Sequence, residues 1–144
     1  MKESPVFIKM FDFVAWIIPL TVKFPREQRF VLASAMQREA LAAHEDLIRA
    51  AHGETPEATQ ASLREVATRL ALIRFHLRLA QRTSLITVRQ YEYAIERLAE
   101  IGRLVRAWQA TCASKGHVIR GQAQGPVGRR RASASAIPDT GNEG

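Results

Sequence analysis

The stretch LREVATRLALIRFHLRLAQR, residues 63–82, decides the fold and carries the clearest pointer to function. At about 100° per residue, Leu63, Val66, Leu70, Ile73 and Leu77 form one apolar stripe. Leu72, Phe75 and Leu79 form a second on the far side. A helix in a small monomer needs only one such stripe. Arg64, Arg74, Arg78 and Arg82 fall in the sector between the two. The spacing therefore predicts a helix that packs on two partners and presents a cationic edge, as expected of an oligomer that holds something anionic. From Arg69 to Arg89 there is no Asp or Glu, and like charges one turn apart cost a few tenths of a kcal/mol per pair. That cost implies an anion, or acids on another helix or subunit, opposite the row.

The flanking sequence supplies three more helices. Ser4 followed by Pro5 reads as a cap and first-turn pair, opening a helix through Phe7, Phe11, Val14 and Ile18 that is disturbed at Pro19. Its apolar residues predict burial nearly all round. Pro25 opens a second helix over residues 25–51, with Met36, Ala40, Ala43 and Leu47 inward and Gly53 as its stop. Thr55 and Pro56 repeat the start signal ahead of the two-striped helix. Thr87 and Gln90 have capping-box spacing and begin the last helix, whose inner face reads Tyr91, Ile95, Leu98, Ile101, Val105 and Trp108. Four helices, short connections and no strand-like alternation indicate an all-α, antiparallel up-down four-helix bundle over residues 1–114. Residues 115–144 turn to Gly, Ala, Ser and Pro around Arg129, Arg130 and Arg131 without periodicity, and are expected to form a disordered basic tail. That arginine triplet is a second possible grip on a nucleic-acid backbone.

At 144 residues and 47% hydrophobic, the chain is long enough to build one core. The formal charge is +7, and 17 of the 21 basic residues are arginine, the better fork for phosphate. A GC-rich genome also raises the arginine share, but it does not explain the net charge. Cys112 is the single cysteine, so no intramolecular disulfide forms and a reduced cytoplasm fits best. The apolar run over residues 6–20 is short, contains Lys9, Asp12 and Pro19, and lacks a small-residue cleavage site. It is expected to be buried or interfacial, with no membrane role.

Enzyme motifs are sparse. His44, His52, His76 and His117 lack paired metal-ligand spacing, and there is no phosphate-cradling glycine loop or nucleophile elbow. Neither a metal nor a cofactor is expected. Arg38 and His44 match the Arg-x(4–6)-His spacing of helical ribonucleases of the HEPN type. Residues six apart stand about 120° apart round a helix, however, and such pairs arise by chance in Arg-rich helices. On the last helix Glu92, Glu96 and Glu100 interleave with Arg89, Arg103 and Arg106, a face that reads as self-neutralising.

Three segments together carry a family resemblance: KMFDFVAWIIP (9–19) leading to KFPREQRF (23–30), LIRFHLRL (72–79), and VRQY (88–91) followed by EIGRLVRAW (100–108). Over roughly residues 5–113 the chain resembles the accessory variability determinant proteins of diversity-generating retroelements. These are related to four-helix-bundle proteins encoded within intervening sequences of bacterial large-subunit ribosomal RNA genes. The resemblance implies a basic, barrel-like homopentamer of four-helix bundles without catalytic activity. It also implies binding to the retroelement reverse transcriptase and to nucleic acid, template RNA and DNA, in support of mutagenic cDNA synthesis. By position, Arg74 and Arg78 fall in the family's Arg-Phe-x-Leu-Arg motif, and Gly102, in Glu-Ile-Gly-Arg, is expected to let helices approach closely. An intervening-sequence relative without a polymerase partner is the alternative from the same scaffold.

Overall fold

The computed structural model describes the backbone of residues 4–135 and side-chain surroundings through Gly116. Helix α1 is Pro5–Val22. Helix α2 is built from a short α-turn, Arg26–Gln28, a π-helical turn, Arg29–Ala33, and a regular segment, Ser34–Ala51. Helix α3 is Pro56–Arg82 and α4 is Val88–Ser135. No strand occurs among the described residues. Each helix packs on its neighbours in sequence, and α1 closes the ring against α4. The result is a four-helix bundle with α3 wedged between α2 and α4.

Local chemistry explains the helix starts. The Thr55 hydroxyl accepts from the Ala58 N–H at 3.0 Å with Pro56 in the first turn. At α4, Gln90 Oε1 accepts from the Thr87 N–H at 2.9 Å while Thr87 Oγ1 accepts from the Gln90 N–H at 3.0 Å, the reciprocal capping box. Ser4 takes an extended conformation before Pro5, but its side chain makes no cap bond. Its carbonyl accepts from Phe7 and Ile8 instead.

Three expectations are corrected. Helix α1 is not buried nearly all round: Val6, Met10, Phe13, Ile17 and Thr21 face the core, while Ile8, Phe11 and Val22 are exposed. A helix in one bundle offers a single face to it, and α1 has apolar residues to spare. It also passes through Pro19 to Val22 and, with a mean hydropathy of 1.7 over 18 residues, is long and apolar enough to span a membrane by length and composition. Second, Gly53 does not end α2 by taking a positive φ. A Cβ there would stand 2.4 Å from Thr59 Oγ1, whose hydroxyl donates to the Ala50 carbonyl at 3.1 Å. Close approach, not backbone freedom, requires the glycine. Third, α2 is interrupted by the π-turn, whose extra residue turns Leu32 and Ala33 inward and leaves Phe30 86% and Val31 70% exposed. The α4 backbone is helical to Ser135, while Gly116 is the last buried position described. Residues 136–144, and the side chains of Arg129, Arg130 and Arg131, lie outside the described residues.

The core is close to the one read from periodicity. Leu63, Val66, Leu70, Ile73 and Leu77 are all buried, as are Met36, Ala40, Ala43 and Leu47, and Leu98, Ile101 and Val105. Tyr91, Ile95 and Trp108 cover the edge half-buried. Phe24 in the α1–α2 connection is also buried. Thr21, buried, donates to the Ile17 carbonyl at 2.9 Å and accepts from Gln37 Nε2 at 2.9 Å, satisfying its hydroxyl and tying α1 to α2.

Candidate nucleic-acid and assembly interface

Five arginines of α3 divide into two groups by their place on the helix. Arg69 lies on the α2 side, where Nε donates to Asp46 Oδ2 at 2.6 Å and Nη1 to Glu39 Oε2 at 2.9 Å. The two carboxylates hold its guanidinium even more firmly charged than usual. Asp46 is buried and also accepts from Arg49 Nη1 at 2.8 Å. Arg64, Arg74, Arg78 and Arg82 point elsewhere, and none of them makes an ion pair among the described residues. Among the described residues the row thus has no carboxylate within ion-pair distance.

The apolar half of the prediction is also visible. Phe75 is 58% exposed, Leu79 40% and Leu72 38%, so the bundle leaves much of the second stripe uncovered. Phe75, Arg78, Leu79, Gln81 and Arg82 share one shallow groove of about 280 Å³. On the other side Phe75 and Leu79 meet Val31, Leu32 and Ala35 in a cavity of about 260 Å³. The π-turn thus extends the exposed apolar surface from α3 onto α2. Sequence periodicity missed this extension; Phe30 and Val31 side by side after Pro25 are its only signal.

The basic row is not one continuous strip. Arg78 and Arg82 line the groove with Phe75 and Leu79. Arg74 is half-buried and reaches across to Gly102 of α4, where its Nη2 would stand 3.4 Å from a Cβ. Arg64 is exposed at a separate hollow of about 430 Å³ with Pro56, Gln60 and Cys112. Gly102 therefore makes room for guanidinium groups, not for a closer helix backbone. Arg106, which the sequence placed on a self-neutralising face, has no ion pair among the described residues, and neither has Arg103. Two of the three acids expected on that face, Glu96 and Glu100, are engaged elsewhere. Glu100 meets Lys9 Nζ at 2.6 Å and Arg97 Nε at 3.9 Å, and Glu96 meets Arg97. The Lys9 contact holds the Glu100 carboxyl below its usual range.

The ribonuclease-like pair does not converge. The His44 ring faces α1, with its centroid 6.2 Å from that of Phe7 and 6.3 Å from that of Phe11. Arg38 is exposed, donates to Ser34 at 3.5 Å, and is felt electrostatically at His76 on α3. Their side chains thus attend to different neighbouring helices. Among the described residues no three His, Cys, Asp or Glu side chains gather as a metal site would need. Cys112 is buried with its sulfur 3.2 Å from the Pro56 carbonyl oxygen.

Fold and surface together define a basic four-helix bundle whose α3 carries an exposed apolar stripe beside arginines that have no ion pair among the described residues. The chain belongs to the bAvd-like family, the accessory variability determinant proteins, which it matches over residues 6–112, and it is an accessory protein of that type. Among solved structures it is similar to a protein of unknown function from the S23 ribosomal protein family of Bacteroides thetaiotaomicron. The two share 23% identity at a TM-score of 0.68, over 73% of this chain and 95% of the other. That likeness concerns the fold. No curated protein matches.

Proposed function

We propose that the protein acts as the accessory subunit of a diversity-generating retroelement. In this reading it is a cytoplasmic, non-catalytic homo-oligomer, pentameric as the family resemblance implies, that needs no cofactor. It binds the reverse transcriptase together with template RNA and nascent DNA, and so supports mutagenic reverse transcription. One observation supports it most: Arg78 and Arg82, without an ion pair among the described residues, share a groove with exposed Phe75 and Leu79. Burying the apolar part against a second copy would bring the arginines of adjacent subunits together. Repetition then converts weak phosphate contacts into avidity. With guanidinium rows and no base-reading module, binding is electrostatic, salt-sensitive and weakly sequence-selective.

Reconstitution tests this reading. The purified chain, a reverse transcriptase of a diversity-generating retroelement and its template RNA together should yield cDNA, and omitting the chain should abolish synthesis. A chain that binds RNA but neither associates with the polymerase nor affects cDNA yield would instead fit the intervening-sequence type of bundle. Cleavage of the RNA by the chain alone would overturn the non-catalytic assignment.

A further inference from the structure

We propose that Arg74 of α3 and Arg106 of α4 form a two-guanidinium clamp over Gly102 that holds a single backbone phosphate of the bound nucleic acid. The inference rests on the nucleic-acid reading above and deepens it, adding a residue from a second helix and a stoichiometry of one phosphate.

Gly102 is buried within α4, and its φ is not positive. Glycine is unfavourable inside a helix, so its presence here calls for a spatial reason. A Cβ at this position would lie 3.3 Å from Arg106 Nη1 and 3.4 Å from Arg74 Nη2, and no other heavy atom outside the helix's own backbone and its sequence neighbours comes within 4 Å. The two nitrogens therefore flank one bare patch of helix and stand no more than about 7 Å apart. Phosphate oxygens accept charge-assisted hydrogen bonds of about 2.7–2.9 Å, so one phosphate bridges two donors at that separation. Neither arginine has an acidic partner among the described residues, and half-burial of Arg74 makes the pair of like charges costly until an anion arrives.

A nucleic-acid phosphate is favoured over a carboxylate of a protein partner by what lies beside the clamp. Arg78 and Arg82 follow Arg74 at i+4 and i+8 on α3, an axial step of about 6 Å each. Those two open on the adjoining groove and not on the clamp, so a polyanion running from one place to the other can satisfy both, whereas one carboxylate would leave the groove's arginines unpaired.

The test uses the full-length assembled protein and a fluorescent single-stranded 20-mer RNA, with affinity measured across a potassium chloride series. Variants are Arg74→Gln, Arg106→Gln, the double variant, and Gly102→Ala, all checked for helical content and assembly. Each phosphate contact on a single strand contributes about 0.7 to the log–log salt slope. The clamp predicts that each single Gln variant lowers the slope by about that amount, and that the double variant loses no more than either single. Gly102→Ala should match them with its fold intact, because its methyl displaces only the mobile ends of two arginines. An unchanged slope in Arg106→Gln would overturn the clamp, and so would a double loss in the double variant, which would mean two independent phosphates. Intact RNA binding with lost polymerase association would assign the pair to a protein carboxylate and overturn it as well. If the unmodified protein binds no RNA, the nucleic-acid reading fails first and the clamp with it.

Discussion

Arg69 Nε donates to Asp46 Oδ2 at 2.6 Å across the packed α2–α3 seam, and this contact separates a structural arginine from the functional candidates on the same helix. Asp46 is buried, so removing Arg69 leaves a desolvated carboxylate with only the exposed Arg49 for company. Breaking a buried pair from one side is costly because the remaining charge is uncompensated.

Arg69→Ala is therefore expected to destabilise the fold by about 2–3 kcal/mol, lowering the melting temperature by roughly 5–10 °C. Arg78→Ala, exposed and without an ion pair among the described residues, should change it by no more than about 1–2 °C. Thermal melts of the two variants side by side check the division.

His76 supplies a pH dependence. Burial lowers its pKa, with Arg38 pushing the same way and Glu39 partly opposing, and its Nδ1 is buried without a hydrogen-bond partner. The folded state thus binds the proton less readily than the unfolded chain. The stabilising contribution is complete above the unfolded value of about 6.5 and is lost as pH falls through the folded value. Melting temperature should decline on acidification from pH 7.5 towards pH 5, and His76→Gln should flatten part of that decline. A variant with the same pH profile as the unmodified protein would contradict the assignment.

The two stripes of α3 predict opposite outcomes for the same kind of substitution. Phe75→Asp places a charge where the side chain is already exposed, so helical content should survive while sedimentation shifts to the monomer. Ile73→Asp, two positions away and fully buried, should unfold the chain, because an unpaired core charge costs more than about 4 kcal/mol. Circular dichroism and sedimentation velocity on both variants decide between interface and core.

Much of this was legible in the sequence because its signals are local. Thr55 and the Thr87–Gln90 box mark helix starts with the groups that later make the bonds. The 3-4 spacing from Leu63 to Leu77 identifies a stripe that is buried throughout. What escaped depends on register between helices. No local pattern announces the extra residue in the Arg29–Ala33 turn, yet it decides that Phe30 and Val31 face outward. The meeting of Arg74 and Arg106 at Gly102 joins positions far apart in sequence, and helix periodicity describes one element at a time. Loss of an apolar face marks the end of packing, which falls near Gly116, and carries no signal for the helical backbone that runs on to Ser135.

The central claim is that an arginine row without ion pairs among the described residues binds nucleic acid from an assembled oligomer. The most direct measurement is RNA affinity of the Arg74→Glu, Arg78→Glu double variant, made on material shown by sedimentation to keep the assembly state of the unmodified protein. Steeply salt-dependent binding by the unmodified oligomer, abolished in the double variant, is the predicted result. Undiminished RNA binding by a correctly assembled double variant would contradict the account and move the nucleic-acid surface away from α3.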